Sequence, residues 1–150
     1  MANEPFRDHK GGYRWAGVDV HAYKTEGNAP FRDITRQTLF REDGLAGELR
    51  YFEIAPGGHS TLERHEHIHA VMILRGGGRC LVGDTVRKVS PLDLVSIAPM
   101  TWHQFRSDNG EPLGFLCLVD ARRDKPQLPS TEDLARMTAD PDVAAFIRPA

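Results

Sequence analysis

Short hydrophobic runs separated by turn signals occupy the chain from about residue 33 to residue 120. The runs are rich in β-branched and aromatic residues and read TRQTLF, ELRYFEIA, HIHAVMIL, RCLVGD, TVRKV, DLVSIAP, HQFRS and LGFLCLVD. Between them stand turn-forming segments such as EDG, APGGHS, RGGG, SPLD and SDNGEP. Many short strands with hardly any helical periodicity are typical of a β-sandwich or a jelly-roll barrel. The pattern therefore predicts an all-β fold.

The residues before this region predict an N-terminal arm. Residues 1–32 are polar and rich in glycine, with isolated aromatic residues such as Tyr13, Trp15, Tyr23 and Phe31. A segment of this composition has no apolar face of its own. We therefore expect it to lie on the barrel or on a partner subunit.

The pattern becomes helical near the C-terminus. Ser130 followed by Asp133 forms a capping box, and Asp140-Pro141 ends that helix and can start another one that runs to Phe146. We expect these helices to seal the barrel or to form a dimer contact. The predicted organisation is one domain with an arm over 1–32, a barrel over 33–121 and a helical segment over 122–150.

Composition and charge limit which binding partners and which cellular compartment we expect. The 150 residues carry a net charge of −2 without a block of like charges, which argues against nucleic acid and anionic membranes. The sequence shows neither a signal peptide nor an apolar stretch long enough to span a membrane, so we expect a cytoplasmic protein. Cys80 and Cys117 lie in apolar runs, which predicts two buried thiols rather than a disulfide.

Three histidines in one predicted strand are the strongest chemical signal. His65, His67 and His69 are two residues apart, and alternate residues of a strand project from the same face. Val71 and Ile73 continue that face with apolar residues, which places it inside the barrel. Buried imidazoles without partners would each cost about 1–3 kcal/mol, and a shared metal ion removes that cost. The alternative is an exposed strand rich in histidine.

One strand cannot surround an ion, so a further ligand has to come from elsewhere. His103 is the candidate, because it opens the run HQFRS after a turn that contains proline. His9 and His59 stand alone in polar segments and are expected to be solvated, while His21 stays undetermined. Imidazole ligands suit Mn, Fe, Co, Ni, Cu or Zn rather than Mg or Ca.

The histidine cluster, the turn LRGGG, the P-x-D turn and the segments IAP and TWHQF together resemble the two motifs of the cupins. The first cupin motif reads roughly G-x5-H-x-H-x3,4-E-x6-G, and the second motif adds one histidine. On this chain the early ligands match His65 and His67, the closing glycine matches Gly76, and the late ligand matches His103. His69 stands where the family has glutamate.

The resemblance implies a double-stranded β-helix (jelly-roll) cupin barrel with a short C-terminal helical segment. It also implies one divalent metal, manganese or iron first, held by His65, His67, His69 and His103. The interval between His67 and His69 is shorter than in the motif. If this interval displaces His69, then Glu63 or Glu66 would be the ligand instead.

The segments LERHEHIHAVMILRGGG, TWHQF and LGFLCLVD are also similar to small bacterial cupins that remove the methylthio group from 1-methylthioxylulose 5-phosphate. This resemblance implies that the Cys117 thiolate attacks the methylthio sulfur and that an external thiol such as glutathione clears the mixed disulfide. It also implies an arginine for the phosphate group, for which Arg50, Arg75 and Arg79 are candidates. The alternative for Cys117 is a small core residue.

The sequence is also compatible with two other functions. A non-haem metal dioxygenase would bind oxygen and substrate at the open metal positions and would need no thiol. A binding module for metal or a small ligand would carry out no reaction. In either enzyme Tyr51 or Glu53 could bind substrate or transfer a proton. An exposed sheet edge and the aromatic-bearing arm suggest a homodimer.

Overall fold

The computed structural model describes residues 4–22, 32–108 and 110–149. Tyr23 and Phe31 of the predicted arm lie outside these residues. Within the described ranges the chain forms nine strands and two short helices. The strands are β1 (His21–Ala22), β2 (Arg32–Arg41), β3 (Gly47–His59), β4 (His69–Arg75), β5 (Gly78–Val82), β6 (Thr85–Val89), β7 (Leu94–Ile97), β8 (His103–Ser107) and β9 (Leu113–Asp120). The helices are α1 (Thr131–Met137) and α2 (Pro141–Phe146).

The strands form one curled antiparallel sheet whose order is β6-β5-β8-β3-β9-β4-β7, and β2 pairs with β3 beside this path. The strand β3 is 13 residues long and pairs with three other strands. It pairs with β2 and β9 over most of its length and reaches β8 only at His59. The predicted all-β barrel with a short C-terminal helical segment is confirmed.

The side chains of alternate residues along β3 face the inside of the barrel. Phe52 and Ile54 are buried in the main core together with Phe105 of β8 and Phe115 of β9. Phe115 stacks between the other two rings, with centroid distances of 5.7 Å to Phe52 and 4.9 Å to Phe105. Since alternate residues of a strand face opposite sides, Arg50 shares this inner face.

The C-terminal helices begin as the sequence predicts. Ser130 and Asp133 form the capping box of α1, and the side chain of Asp140 caps α2. Val143 and Phe146 of α2 are buried in a second apolar cluster with Leu62 and Leu81, so α2 closes one side of the barrel. No helix among the described residues is long and apolar enough to cross a membrane.

The described part of the N-terminal arm packs on the outer face of the sheet. The ring of Tyr13 stacks on Tyr51 at 5.7 Å, and the indole of Trp15 contacts the same ring at 5.1 Å. The side chain of Gln37 donates a hydrogen bond of 2.8 Å to the Tyr13 carbonyl. The arm therefore covers the side of β3 that faces away from the core.

The expectation that three histidines share one strand is wrong. The strand β4 begins only at His69, and His65 and His67 lie in the irregular segment before it. The physical reason is that the amides of Glu66 and His67 donate to the carboxylate of Asp124 at 2.8 and 3.0 Å instead of to a neighbouring strand. This segment turns around a side chain and still delivers its histidines to the barrel mouth.

Candidate metal centre

Three imidazoles converge at the mouth of the barrel. The ligand nitrogens of His65, His69 and His103 all lie within 4.8 Å of one another, a separation that allows them to share one ion. The ring of His103 lies 4.9 Å from His65 and 5.0 Å from His69, measured between centroids. His65 precedes β4, His69 opens it and His103 opens β8, so three separate backbone positions surround the centre.

Each of the four histidines at the barrel mouth uses its Nδ1 atom for a contact with another protein group. These contacts orient the rings and leave the Nε2 atoms for a ligand, an arrangement that is common around protein-bound metals. The contacts are His65 with the His67 carbonyl (2.8 Å), His67 with Asp124 Oδ1 (2.7 Å), His69 with Cys117 Sγ (3.4 Å) and His103 with the Thr101 carbonyl (2.9 Å).

The chemistry of this donor set fits a transition metal. The Nε2 atom of His69 is buried and has no hydrogen-bond partner among the described residues, which is costly unless a ligand fills the space. Burial and the neighbouring imidazoles lower the pKa of His69 to about 3, and burial lowers the pKa of His103 to about 4. Both rings are therefore neutral near pH 7, the form that binds a metal ion.

His67 occupies a different position from the other three histidines. Its ring stacks on His65 at a centroid distance of 3.7 Å, and it groups with His65 and Asp124 rather than with His69 and His103. The hydrogen bonds from the backbone amide of Glu66 and from the side chain and backbone amide of His67 hold the pKa of Asp124 well below its usual range. Sequence reasoning missed Asp124, which lies 57 residues from His67 in a polar stretch without any metal-binding spacing.

The two glutamates considered as alternative ligands are separated by the structure. Glu63 lines the same cavity as the histidines, and burial raises its pKa to about 7. Glu66 is exposed and does not line the cavity. Of the other histidines, His9 and His21 are exposed, whereas His59 is half-buried at the end of β3 and not in a polar turn as expected.

A cavity of about 240 Å³ extends from the histidines into the barrel, and Cys117 lies on its wall. The thiol is buried, which raises its pKa, while the nearby Arg50 guanidinium acts in the opposite direction. Arg50 Nη2 lies 3.8 Å from Cys117 Sγ. Cys80 is also buried and free, but it does not line this cavity. The structure thus brings one of the two predicted buried thiols to the histidine cluster.

The predicted substrate-binding residues divide into two groups. Arg50 lines the cavity, whereas Tyr51 and Arg75 do not, so the prediction for these two residues is corrected. The reason is strand alternation, which turns Tyr51 to the outer face of β3. There the Tyr51 hydroxyl and Arg75 both donate to Glu53 at 2.9 Å. Arg79 also lies away from the cavity, paired with Asp108 at 2.8 Å.

Comparison with known proteins gives consistent relatives. The family model described as "Cupin domain" matches residues 50–119. The 1-methylthio-D-xylulose 5-phosphate methylsulfurylase of Rhodospirillum rubrum is 61% identical over 97% of this chain and 93% of its own length. A cupin 2 conserved barrel domain protein from Rhodopseudomonas palustris superposes with a TM-score of 0.92 at 56% identity, over 95% of this chain and 99% of that one. A cupin-2 domain structure from Rhodospirillum rubrum gives 0.86 at 61% identity, over 95% and 96%.

Proposed function

Because this chain belongs to the cupin family, we propose that it combines a metal held by the barrel with the Cys117 thiol to remove a methylthio group from 1-methylthio-D-xylulose 5-phosphate. The relative that shares 61% of its residues is named for this activity. The observation that carries the proposal is the contact of 3.4 Å between Cys117 Sγ and His69 Nδ1. It joins a thiol directly to the histidine triad within one cavity.

His65, His69 and His103 are the proposed metal ligands, and His67 or Glu63 is placed to complete the set. One divalent first-row ion is expected, with manganese or iron as the leading candidates. When bound, such an ion supplies Lewis acidity that stabilises negative charge on a ketone or enolate oxygen. The neutral state of the His69 and His103 rings supports this assignment, because protonated rings could not bind a cation.

The Cys117 thiolate performs the bond-breaking step of this proposal. Its sulfur attacks the methylthio sulfur and forms a disulfide bond with it, and the bond from that sulfur to C1 of the sugar breaks. The electron pair remains on C1 as the enolate of the adjacent ketone, which takes up a proton and becomes a 1-deoxy ketose phosphate. An external thiol such as glutathione then attacks the methylthio sulfur and releases Cys117. Carbon is reduced and the external thiol is oxidised.

Two neighbours prepare the thiol for this role. Once the Nε2 atom of His69 is bound, its Nδ1 atom carries the remaining proton and donates it toward the sulfur. The Arg50 guanidinium stabilises the thiolate by its charge, as its lowering effect on the pKa of Cys117 indicates. The surrounding side chains of Phe105, Phe115 and Val71 line the same cavity and limit the access of water to the reacting sulfur.

A serine substitution tests the proposal. Cys117→Ser should lower kcat by at least about a thousandfold while the metal content stays near that of the parent protein. The assay follows formation of the 1-deoxy ketose phosphate by NMR in the presence of glutathione. Cys80→Ser is the matched control, since it replaces the other buried free thiol, and it should retain activity.

Retained turnover in Cys117→Ser would contradict the thiol mechanism. In that case oxygen consumption measured with an electrode would test the dioxygenase alternative, which needs the histidines but not the thiol. A protein that binds metal and neither consumes oxygen nor converts the sugar phosphate would instead support the binding-module alternative.

A further inference from the structure

A group of arginines lines the same cavity on the side of β2 and β3. Arg36 projects from β2 opposite Phe52, and Arg50 projects from β3 opposite Cys117 of β9. Both side chains line the cavity, as does Arg123, which follows β9. Of these three arginines, only Arg50 is predicted from the sequence to bind substrate.

The two strand arginines have hydrogen-bond donors without acceptors. The Nε atoms of Arg36 and Arg50 are buried, and neither forms a hydrogen bond within the part of the chain that the structure describes. A buried donor of a charged group costs more free energy to leave unpaired than a neutral one. An anionic ligand in the cavity would provide the missing acceptors.

The local charge also favours an anion. Glu48 is buried, and its Oε1 atom lies 3.6 Å from Arg50 Nε, beyond hydrogen-bond distance, and 2.7 Å from Arg123 Nη1. This one carboxylate holds two of the three cavity arginines in place and neutralises one of their charges. Two further carboxyl groups, Glu63 and Asp124, line the cavity beside the histidines. On the side of β2 and β3 the arginines outnumber Glu48, which favours an anion such as a phosphate group.

We propose that Arg36 and Arg50, assisted by Arg123, form the subsite that binds the phosphate group of the substrate. This inference rests on the proposed function for the identity of the sugar phosphate. Guanidinium groups bind phosphate oxygens through paired N–H donors, a geometry that lysine cannot supply.

The arrangement sets the direction in which the substrate lies. Arg36 stands two strands away from Cys117, because β3 separates β2 from β9, and neighbouring strands are about 4.8 Å apart. This distance suits a five-carbon chain with a methylthio group at C1 and a phosphate at C5. Arg50 lies between the two ends, where it contacts the thiol.

Phosphate binding is tested first without the metal, so that the anion cannot bind through it. Protein treated with chelator is titrated calorimetrically with inorganic phosphate, then with D-xylulose 5-phosphate and with D-xylulose. Arg36→Met should weaken binding of both phosphates by about tenfold or more, and Arg36→Lys should recover only part of the loss. Arg122→Met is the matched control, since Arg122 is exposed, does not line the cavity and precedes Arg123 directly.

Equal phosphate affinity in the parent protein, Arg36→Met and Arg50→Met would overturn the subsite, provided that thermal melts show all three to be folded. Equal affinity for D-xylulose and its 5-phosphate would overturn it as well. In the turnover assay Arg36→Met should raise KM for the methylthio sugar phosphate more than it lowers kcat. Phosphate binding that depends on the arginines in a protein without methylthio-removing activity would support the subsite and refute only the proposed function.

Discussion

The polar residues on the two faces of β3 differ in how completely their hydrogen-bond donors and acceptors are paired within the protein. On the outer face Tyr51, Glu53 and Arg75 satisfy one another, and the N-terminal arm covers them through Tyr13. On the inner face the buried Nε atom of Arg50 forms no hydrogen bond among the described residues, and Glu48 Oε1 lies 3.6 Å from it. Both faces bury charged groups, and the outer network of Tyr51, Glu53 and Arg75 is closed, although the neighbouring Gln37 Oε1 forms no hydrogen bond within the described residues.

This difference distinguishes buried polar groups that are part of the stable fold from buried polar groups that are available to a ligand. A buried polar group that is fully hydrogen-bonded is part of the stable fold, because hydrogen bonds within the protein offset the free-energy cost of its desolvation. Several unpartnered polar groups that line one cavity mark a place where a ligand would supply the partners. Four buried side-chain atoms among the described residues have no hydrogen-bond partner. His69 Nε2, Arg36 Nε and Arg50 Nε belong to residues that line the cavity, whereas Gln37 Oε1 belongs to β2, opposite Tyr51 on the outer face.

The largest effect should come from removing a metal ligand on the inner side. His69→Ala should reduce the metal content from about one equivalent per chain to near zero and abolish turnover, because it removes one of the three imidazoles that converge on the centre. Elemental mass spectrometry on protein purified without a histidine tag measures this directly. His59→Ala is the control, since His59 lies outside the cavity and should leave the metal content unchanged. Equal metal content in both variants would refute the assignment of the centre.

A smaller effect is expected on the pH dependence of stability in the metal-free protein. The pKa values of His69 and His103 are lowered to about 3 and about 4, so the unfolded chain takes up protons below pH 6.5 that the folded site excludes. Their contribution to the free energy of unfolding should therefore decrease as the pH falls from 6.5 toward 4. Glu63 acts in the opposite direction, because its raised pKa lets the folded state take up a proton as the pH falls below about 7.

Two variants separate these contributions in denaturant unfolding measured between pH 7 and 4. His69→Phe should make the decrease in stability shallower, and Glu63→Gln should make it steeper. Tyr51→Phe on the outer face should leave the slope as it is. A slope that none of the substitutions alters would show that the imidazoles do not titrate as their burial requires.

The hydrophobic pattern was sufficient to predict the barrel, because alternation and turn residues are local signals. It was also sufficient to place His103 at the start of a strand. It failed for His65 and His67, whose segment turns around the Asp124 carboxylate, a contact between residues 57 positions apart. Periodicity carries no information about a contact over that distance.

The structure also suggests a better alignment with the cupin motif. Counting from Gly57, the spacing G-x5-H-x-H-x3-E-x6-G places Glu63 at the first histidine, His65 at the second and His69 at the glutamate, with Gly76 at the end. This alignment removes the shortened interval and leaves His67 outside the motif, as the geometry does. An alignment that assigns both early ligands to His65 and His67 requires the shortened interval.

Strand alternation could have separated Arg50 from Tyr51 before the structure was known. Adjacent residues of a strand face opposite sides, so these two could not both line one cavity. The parity of Phe52 and Ile54 marks the inner face and includes Arg50. The same reasoning applied to β2 places Arg36 beside Ile34 on the inner face, and both residues line the cavity.

The smallest effect should come from the outer network of Tyr51, Glu53 and Arg75. A substitution there tests most directly whether the two faces of β3 differ in function. Tyr51→Phe removes the hydroxyl that donates to Glu53, while Arg75 still satisfies that carboxylate. The variant should lose about 1 kcal/mol of stability in denaturant unfolding and keep kcat and KM unchanged. Arg50→Met on the inner face is its counterpart and should raise KM. A KM that rises for Tyr51→Phe as much as for Arg50→Met would mean that the outer face communicates with the cavity, and the two faces of β3 would no longer be functionally distinct.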